Sequence, residues 1–270
     1  MTHVEKEFFS PRKFCLAFKD LEGNPTNPRE QKDAFEFLCL LLDRLEEKVK
    51  KTKHENFIKD FFGGSFSNEL ICKDCSHYYD REEAFLGVNL IVKNTKNIQE
   101  SLENFVEGQV LVGDNAYYCE ECKIKVKAVK RSSFKHFPNY LIFVLNRFEY
   151  NFDLNMREKI NDYYEFSQEL DLEPFTQQAI KRAEKASNFE NKPISELGKS
   201  SKDSKPQLLY DLKGTVIHVG SAESGHYYSI IKDSRNNGEN GTKWLEFNDQ
   251  HVTEFDMKNF SSVAFGDKFK

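Results

Sequence analysis

Four of the six cysteines stand in two Cys-x-x-Cys pairs, Cys72 with Cys75 and Cys119 with Cys122, separated by the 43 residues 76–118. Together they offer four thiolates, and a structural zinc site takes four ligands tetrahedrally with Zn–S distances of about 2.3 Å. Each pair supplies half of that shell, so a zinc ion would pin two hairpin tips in the manner of a zinc ribbon. His77 and His136 are expected to stay outside the shell, because four sulfurs complete it. A redox role fits less well, since neither pair opens a βα unit. A second group of chemically able residues lies further on. In the stretch 217–230 a strand carries His218, a small-residue loop turns at Gly220 and Gly225, and His226 opens the next strand. About twenty residues later a strand ends in Asn248-Asp249. A nucleophilic cysteine needs a base to take its proton and a third group to fix the tautomer of that base. His226 and either Asn248 or Asp249 have the right chemistry for those two places. Taken alone, they fit better as a structural histidine beside glycine and an Asn-Asp turn.

The elements that must position these residues show in the hydrophobic pattern. Asn27-Pro28-Arg29-Glu30 reads as a helix start, with a capping Asn, Pro at the first helical position and Glu three residues after the cap. Ala34, Phe37, Leu38, Leu41, Leu42, Leu45 and Val49 then recur at the spacing of one buried helical face. The lysine-rich run 47–53 suits the end of that helix. Gly63-Gly64 marks a change to short alternating runs at 65–71, 85–92 and 123–131, which read as strands. The nearly continuous apolar run 140–148 predicts a central strand covered on both faces. Residues 176–206 are polar and read as a loop insertion. Strands resume at 210–219, 226–231 and 243–247.

Composition limits what such a chain can be. Its 270 residues suit one large or two small domains. An apolar fraction of 39% with 25 Phe supplies enough area to offset the entropy of ordering, which excludes a disordered chain. No apolar run approaches the roughly 18 to 20 residues of a membrane span, and the first ten residues lack the layout of a signal peptide. A cytoplasmic or nuclear setting without membrane insertion is therefore expected, where reduced thiols favour metal over disulfides. A net charge of −5 with scattered basic residues argues against a nucleic-acid partner.

The order of the motifs decides between the readings of His226. QKDAFEF at 31–37, GGSF at 63–66, CKDC, YYCEEC, LNRFEY at 145–150, NDYYEF at 161–166, SGHYYS at 224–229 and WLEFND run nearly end to end. In this the chain resembles the ubiquitin-specific protease family, in particular its fat-facets-like branch. The resemblance implies an α+β, papain-like cysteine peptidase fold described as fingers, palm and thumb. It implies thumb helices at 27–60, fingers with the zinc ribbon at 61–135 and a palm at 136–270 carrying the insertion at 176–206. It also implies Zn²⁺ held by Cys72, Cys75, Cys119 and Cys122, and ubiquitin and ubiquitinated proteins as partners. His226 falls at the family's base, and Asn248 stands where the third residue is usually Asp, with Asp249 able to share the role. The family's substrate ends in a tail of two Arg and two Gly, which calls for a narrow, acidic channel. Asp33 and Glu36, three apart on one helix face, can accept from those arginines. Arg147, Phe148, His218 and Tyr227 match positions lining that channel, and Phe35 stands where Gln is frequent.

One part of the family pattern is missing. The nucleophile belongs to a Gly-Asn-Thr-Cys box upstream of the QKDAFEF helix, and no such sequence occurs here. Cys15, in KFCLAF, lacks that context, and Cys39 belongs on or near the helix. The closing Ala-Tyr-x-Leu-Phe-Tyr strand is also missing, so the fold is expected to be incomplete at both ends. A fragment of a deubiquitinase that cannot hydrolyse ubiquitin conjugates by itself is the resulting expectation. A catalytically inactive ubiquitin-binding relative is the alternative.

Overall fold

The computed structural model describes residues 10–20, 23–27, 32–186, 208–233 and 243–267. The chain begins with helices α1 (Arg12–Ala17), α2 (Ala34–Val49) and α3 (Phe57–Phe62), followed by strands β1 (Gly64–Cys72), β2 (Tyr78–Phe85) and β3 (Val88–Ile91). Helix α4 (Ile98–Val106) leads to β4 (Gln109–Leu111), β5 (Tyr117–Cys119), β6 (Ile124–Val126) and β7 (Ala128–His136). Four short strands come next, β8 (Phe143–Asn146), β9 (Phe148–Asn151), β10 (Met156–Lys159) and β11 (Glu169–Asp171), then helix α5 (Gln177–Ala186). The remainder is β12 (Leu209–Asp211), β13 (Gly214–Gly220), β14 (Gly225–Lys232), β15 (Trp244–Asn248), β16 (His251–Glu254) and helix α6 (Phe260–Ala264). Two compact units result, one of residues 1–41 with 214–257, the other of 42–213 with 258–270.

Helix α2 starts later than its sequence suggests. Residues 28–31 lie outside the described residues, and the cap is Asp33, whose Oδ1 accepts from the amides of Phe35 at 2.8 Å and Glu36 at 3.0 Å. A carboxylate there satisfies two amides that no helical carbonyl can reach. At the other end Lys51 turns left-handed at φ 65°, and the amide of Thr52 closes on the carbonyl of Val49.

The larger unit is organised by a sheet of order β2-β1-β7-β4. Near one end of that sheet Phe66 stacks on Phe85 at 4.2 Å and meets Phe105 of α4 and Phe134 of β7 at 5.1 and 5.2 Å. Asn97 caps α4 by accepting from the amide of Glu100 at 2.8 Å. Elsewhere on the sheet a buried Glu69 pairs with Arg131 at 2.8 Å, and α5 supplies Lys181 to Glu69 and Glu184 to Arg131. Gln177 of α5 also donates to Ser67 and Glu69. Part of the region read as a loop insertion is thus a helix locked to the sheet by charge and amide bonds. Residues 187–207 of that insertion lie outside the described residues.

Three expected strands are divided. The 85–92 run splits because β2 ends at Phe85 and β3 begins at Val88. The 123–131 run breaks at Lys127, whose amide donates to Asp74 Oδ2 at 2.7 Å and whose carbonyl accepts from Lys73. That break ties the strand after the second cysteine pair to the turn between the first. The 140–148 run is no central strand. Phe143–Asn146 forms β8, which among the described residues pairs with β3 alone and whose side chains range from half-buried to exposed, while Phe148 opens β9 and pairs with Lys159. The apolar residues of the run instead diverge, Phe143 and Leu145 to the core and Tyr140 to the rings of Phe61 and Phe62.

The smaller unit carries the antiparallel meander β13-β14-β15-β16. In its register His218 faces Tyr227, Val219 faces His226 and Asn248 faces His251.

Candidate functional site

Two glycines shape the hairpin that presents His226. Gly220 turns at φ +103°, a conformation that a side chain would strain, and a Cβ on Gly225 would lie 2.2 Å from His218 Nε2. The loop between them closes through the amide of Ser221, which donates to the carbonyl of Ser224 at 2.8 Å. His226 therefore starts β14 on a short, tied hairpin. Asn248 ends β15 at another tight turn, where Asp249 adopts φ 53°, a region that Asp tolerates better than most residues. The pairing of Ser229 with Phe247 sets the register that brings these two strand ends together.

His226 Nε2 lies 2.8 Å from Asn248 Oδ1. An amide oxygen can only accept, so Nε2 carries the hydrogen and Nδ1 keeps the basic lone pair. Asn248 Nδ2 sits 3.5 Å from Glu246 Oε1, which holds the amide in the orientation that aims its oxygen at the ring. Asp249 Oδ2 stands 4.0 Å from Nε2 on a side chain 79% exposed, beyond hydrogen-bond range. Asn248 is thus the orienting group, and Asp249 can contribute only a partly screened charge. Among the described residues no thiol reaches His226. Burial and, secondarily, the charge of Asp33 push the pKa of the Cys39 thiol up.

The other expected contacts divide between the two units. His218 and Tyr227 pack together with ring centres 4.7 Å apart. The Tyr227 hydroxyl has its pKa raised by burial and then by Asp33, and it meets the amide of Ala34 at the start of α2. Asp33 and Glu36 are both exposed there. Arg147 and Phe148 belong to the larger unit. The Arg147 guanidinium donates to the carbonyls of Ile160 at 3.1 Å and Asp162 at 2.9 Å and lies 3.5 Å from that of Phe265. Its donors hold the backbone around 160–162 and 265, while Phe148 is 40% exposed.

The cluster that could hold a metal differs from four sulfurs. Cys75, His77, Cys119 and Cys122 place one donor atom each within 4.8 Å of one another. His77 Nδ1 is 3.3 Å from Cys75 Sγ and 3.4 Å from both Cys119 and Cys122 Sγ, and the Cys75 and Cys119 sulfurs are 3.9 Å apart. Tetrahedral Zn–S bonds of about 2.3 Å require sulfurs roughly 3.8 Å apart, so this donor set fits a zinc ion. Cys72 ends β1, its amide donates to the carbonyl of His77, and its side chain packs beside Cys119 and Val126. Burial, then Cys75, pushes its thiol up to about 12. Cys72 and His77 thus face each other across the hairpin end, and the imidazole takes the place expected for the first sulfur. The Cys75-x-His77 spacing was the available signal. It was obscured by the count of four cysteines.

The fold is shared with solved structures. A chain of the SAGA Ubp8/Sgf11/Sus1/Sgf73 DUB module bound to ubiquitin aldehyde matches with a TM-score of 0.67 at 22% identity, over 87% of this chain and 48% of that one. A chain of the same module bound to monoubiquitin matches at 0.68 and 24%, over 87% and 47%. Residues 1–265 match the family described as ubiquitin carboxyl-terminal hydrolase, and the chain belongs to that family. Similar relatives include the human ubiquitin carboxyl-terminal hydrolase 9Y, 37% identical over 97% of this chain and 10% of the relative. The human ubiquitin carboxyl-terminal hydrolase 24 is 38% identical over 98% and 10%. The probable ubiquitin carboxyl-terminal hydrolase FAF of Drosophila melanogaster is 36% identical over 99% and 9%. The chain spans about a tenth of the length of these relatives.

Proposed function

We propose that the chain supplies the base and part of the substrate-binding surface of a thiol-dependent ubiquitin hydrolase, with the nucleophilic cysteine contributed from outside these 270 residues. The observation that carries the reading is the His226–Asn248 bond, which leaves Nδ1 as a base with no partner among the described residues. In the reaction a thiolate facing Nδ1 attacks the carbonyl carbon of the terminal Gly of ubiquitin. The bond to the lysine Nζ breaks, and the protonated imidazole gives its proton to the departing amine. Water then attacks the thioester, His226 takes its proton, and the thiolate leaves. Asp33, Glu36, His218 and Tyr227 are proposed to meet the ubiquitin tail. Cys75, His77, Cys119 and Cys122 would hold a structural zinc that fixes the fingers and takes no part in the chemistry.

The absence of a thiol beside His226 among the described residues favours a second reading, a ubiquitin-binding module without turnover. One experiment separates them. Ubiquitin carrying a C-terminal fluorogenic amide is given to the 270-residue chain and to a longer form that also carries the proposed cysteine. Cleavage by the longer form alone is expected. Binding without cleavage by either form would establish the second reading.

A further inference from the structure

An amide can orient an imidazole in either of two ways. Its oxygen accepts from a protonated Nε2, which leaves Nδ1 as the base, or its NH2 group donates to a bare Nε2, which puts the hydrogen on Nδ1 and removes the base. A carboxylate has no such second setting, because both of its oxygens accept. At His226 the orienting group is Asn248, so a group beyond the ring has to choose between the two ends of its amide. Side chains alternate along β14, and His226, Tyr228 and Ile230 share one face. Ile230 pairs with Glu246, Glu246 with Thr253 and Asn248 with His251, so these residues lie on that face too. Glu246 Oε1 is 3.5 Å from Asn248 Nδ2. Its charge also reaches Tyr228, whose hydroxyl pKa is pushed up by burial and then by Glu246.

We infer that Glu246 is the positioning residue that makes this choice: a carboxylate that can only accept claims the NH2 end of Asn248 and so sends the amide oxygen to His226. This rests on the function proposed above. With the amide reversed, Oδ1 would face the carboxylate of Glu246, two acceptors with no hydrogen between them. Glu246 thereby also returns to the site a negative charge that an asparagine does not carry. The other groups on this face impose less. Asp249 favours a hydrogen on Nε2 from 4.0 Å, but its side chain is exposed and screened by water. The exposed ring of His251 and the hydroxyl of Tyr228 can each accept or donate, so neither fixes the amide. The dependence on Glu246 is conditional on the asparagine. A lysine at that position offers only donors and should claim the amide oxygen, whereas an aspartate in place of Asn248 leaves nothing to reverse.

The tautomer of His226 tests the inference in the 270-residue chain, through the nitrogen resonances of its imidazole, recorded with the ring neutral and assigned by their loss in His226→Ala. The unaltered chain is expected to hold the hydrogen on Nε2 by about ten to one, the scale of a hydrogen bond to a charged group. Glu246→Gln, which can accept or donate, should bring the two tautomers within about five-fold of each other, the bias that the exposed charge of Asp249 can still supply. Glu246→Lys should move the hydrogen to Nδ1. Adding Asn248→Asp to Glu246→Lys should return it to Nε2, a rescue that a misfolded hairpin could not show. Nε2–H retained in both single variants, or Nδ1–H persisting in the double variant, overturns the role of Glu246 and leaves the proposed function standing. Nδ1–H in the unaltered chain overturns both, because it removes the base.

Discussion

The cysteine knuckles and the His226 hairpin end are built by opposite rules. In the knuckles four donors from two tight turns converge on one point, and every donor finds its neighbours within the set. At the hairpin end one nitrogen of His226 is fixed by Asn248 while the other is left without a partner among the described residues. A closed donor shell holds structure, as zinc with four protein ligands does, whereas an open lone pair beside a fixed one is prepared to move a proton. Under the proposed function, the contrast gives stability to the first region and chemistry to the second. It breaks if the knuckles tolerate loss of a donor, or if His226 proves dispensable.

Loss of a donor is expected to have the largest effect. Cys119→Ala should abolish stoichiometric zinc and unfold the fingers, as apo forms of small zinc modules unfold. His77→Ala should also lose the metal, while Cys72→Ser should keep close to one zinc per chain. Metal content after gel filtration, with the absorption of the cobalt-substituted protein counting thiolates, reads all three. Full zinc in His77→Ala together with loss in Cys72→Ser would restore the four-sulfur set.

Next in size is the ion pair beneath α5. Glu69 and Arg131 are both buried, and removing one partner of such a pair costs about 3–5 kcal/mol. Burial alone would raise the Glu69 pKa, but Tyr78, Arg131 and Lys181 outweigh it and hold it below the ordinary value. A lowered carboxyl pKa stabilises the fold fully above the unfolded value of about 4.3, and that contribution is lost as pH falls through the lower folded value. Glu69→Gln should therefore lower the melting temperature at pH 7 and flatten the acid limb of the stability curve. A variant that melts with an unchanged acid limb would remove Glu69 from that role.

The smallest expected effect separates two roles of Asp33. Its carboxylate caps α2, so Asp33→Ala should cost about 1 kcal/mol of stability. Asp33→Ser keeps a capping oxygen but removes the charge. It should preserve stability while weakening ubiquitin binding several-fold, more so when combined with Glu36→Gln. Unchanged affinity in that double variant would return both residues to a purely helical role.

Much of this was open to reading from sequence because local chemistry dictated it. The spacing of Phe37, Leu41, Leu42 and Val49 placed α2, and Gly220, Gly225 and Asn248-Asp249 marked the turns that bring His226 and Asn248 together. What escaped reading depended on partners distant in sequence. The cap moved to Asp33 from the expected Asn27, α5 formed in a polar stretch because Ser67, Glu69 and Arg131 bind it, and the 140–148 run divided because 143–146 pairs with β3 while Phe148 pairs with Lys159 of β10. His77 was hidden by a rule of counting: four cysteines satisfied the shell on paper, and only the pairing of Cys72 with His77 across the hairpin end turned the imidazole inward. Neither the choice of Asn248 over Asp249 nor the approach of its amide to Glu246 could be read without the register of β14, β15 and β16.

The most direct test of the central claim is turnover of the fluorogenic ubiquitin amide by a longer form that carries the proposed cysteine, compared with its His226→Ala variant. The account predicts a loss of about 10²- to 10⁴-fold in kcat with ubiquitin affinity unchanged, the scale of removing a general base. Turnover within a few-fold of the unmodified protein would contradict it and take the proton-transfer role away from the His226–Asn248 pair.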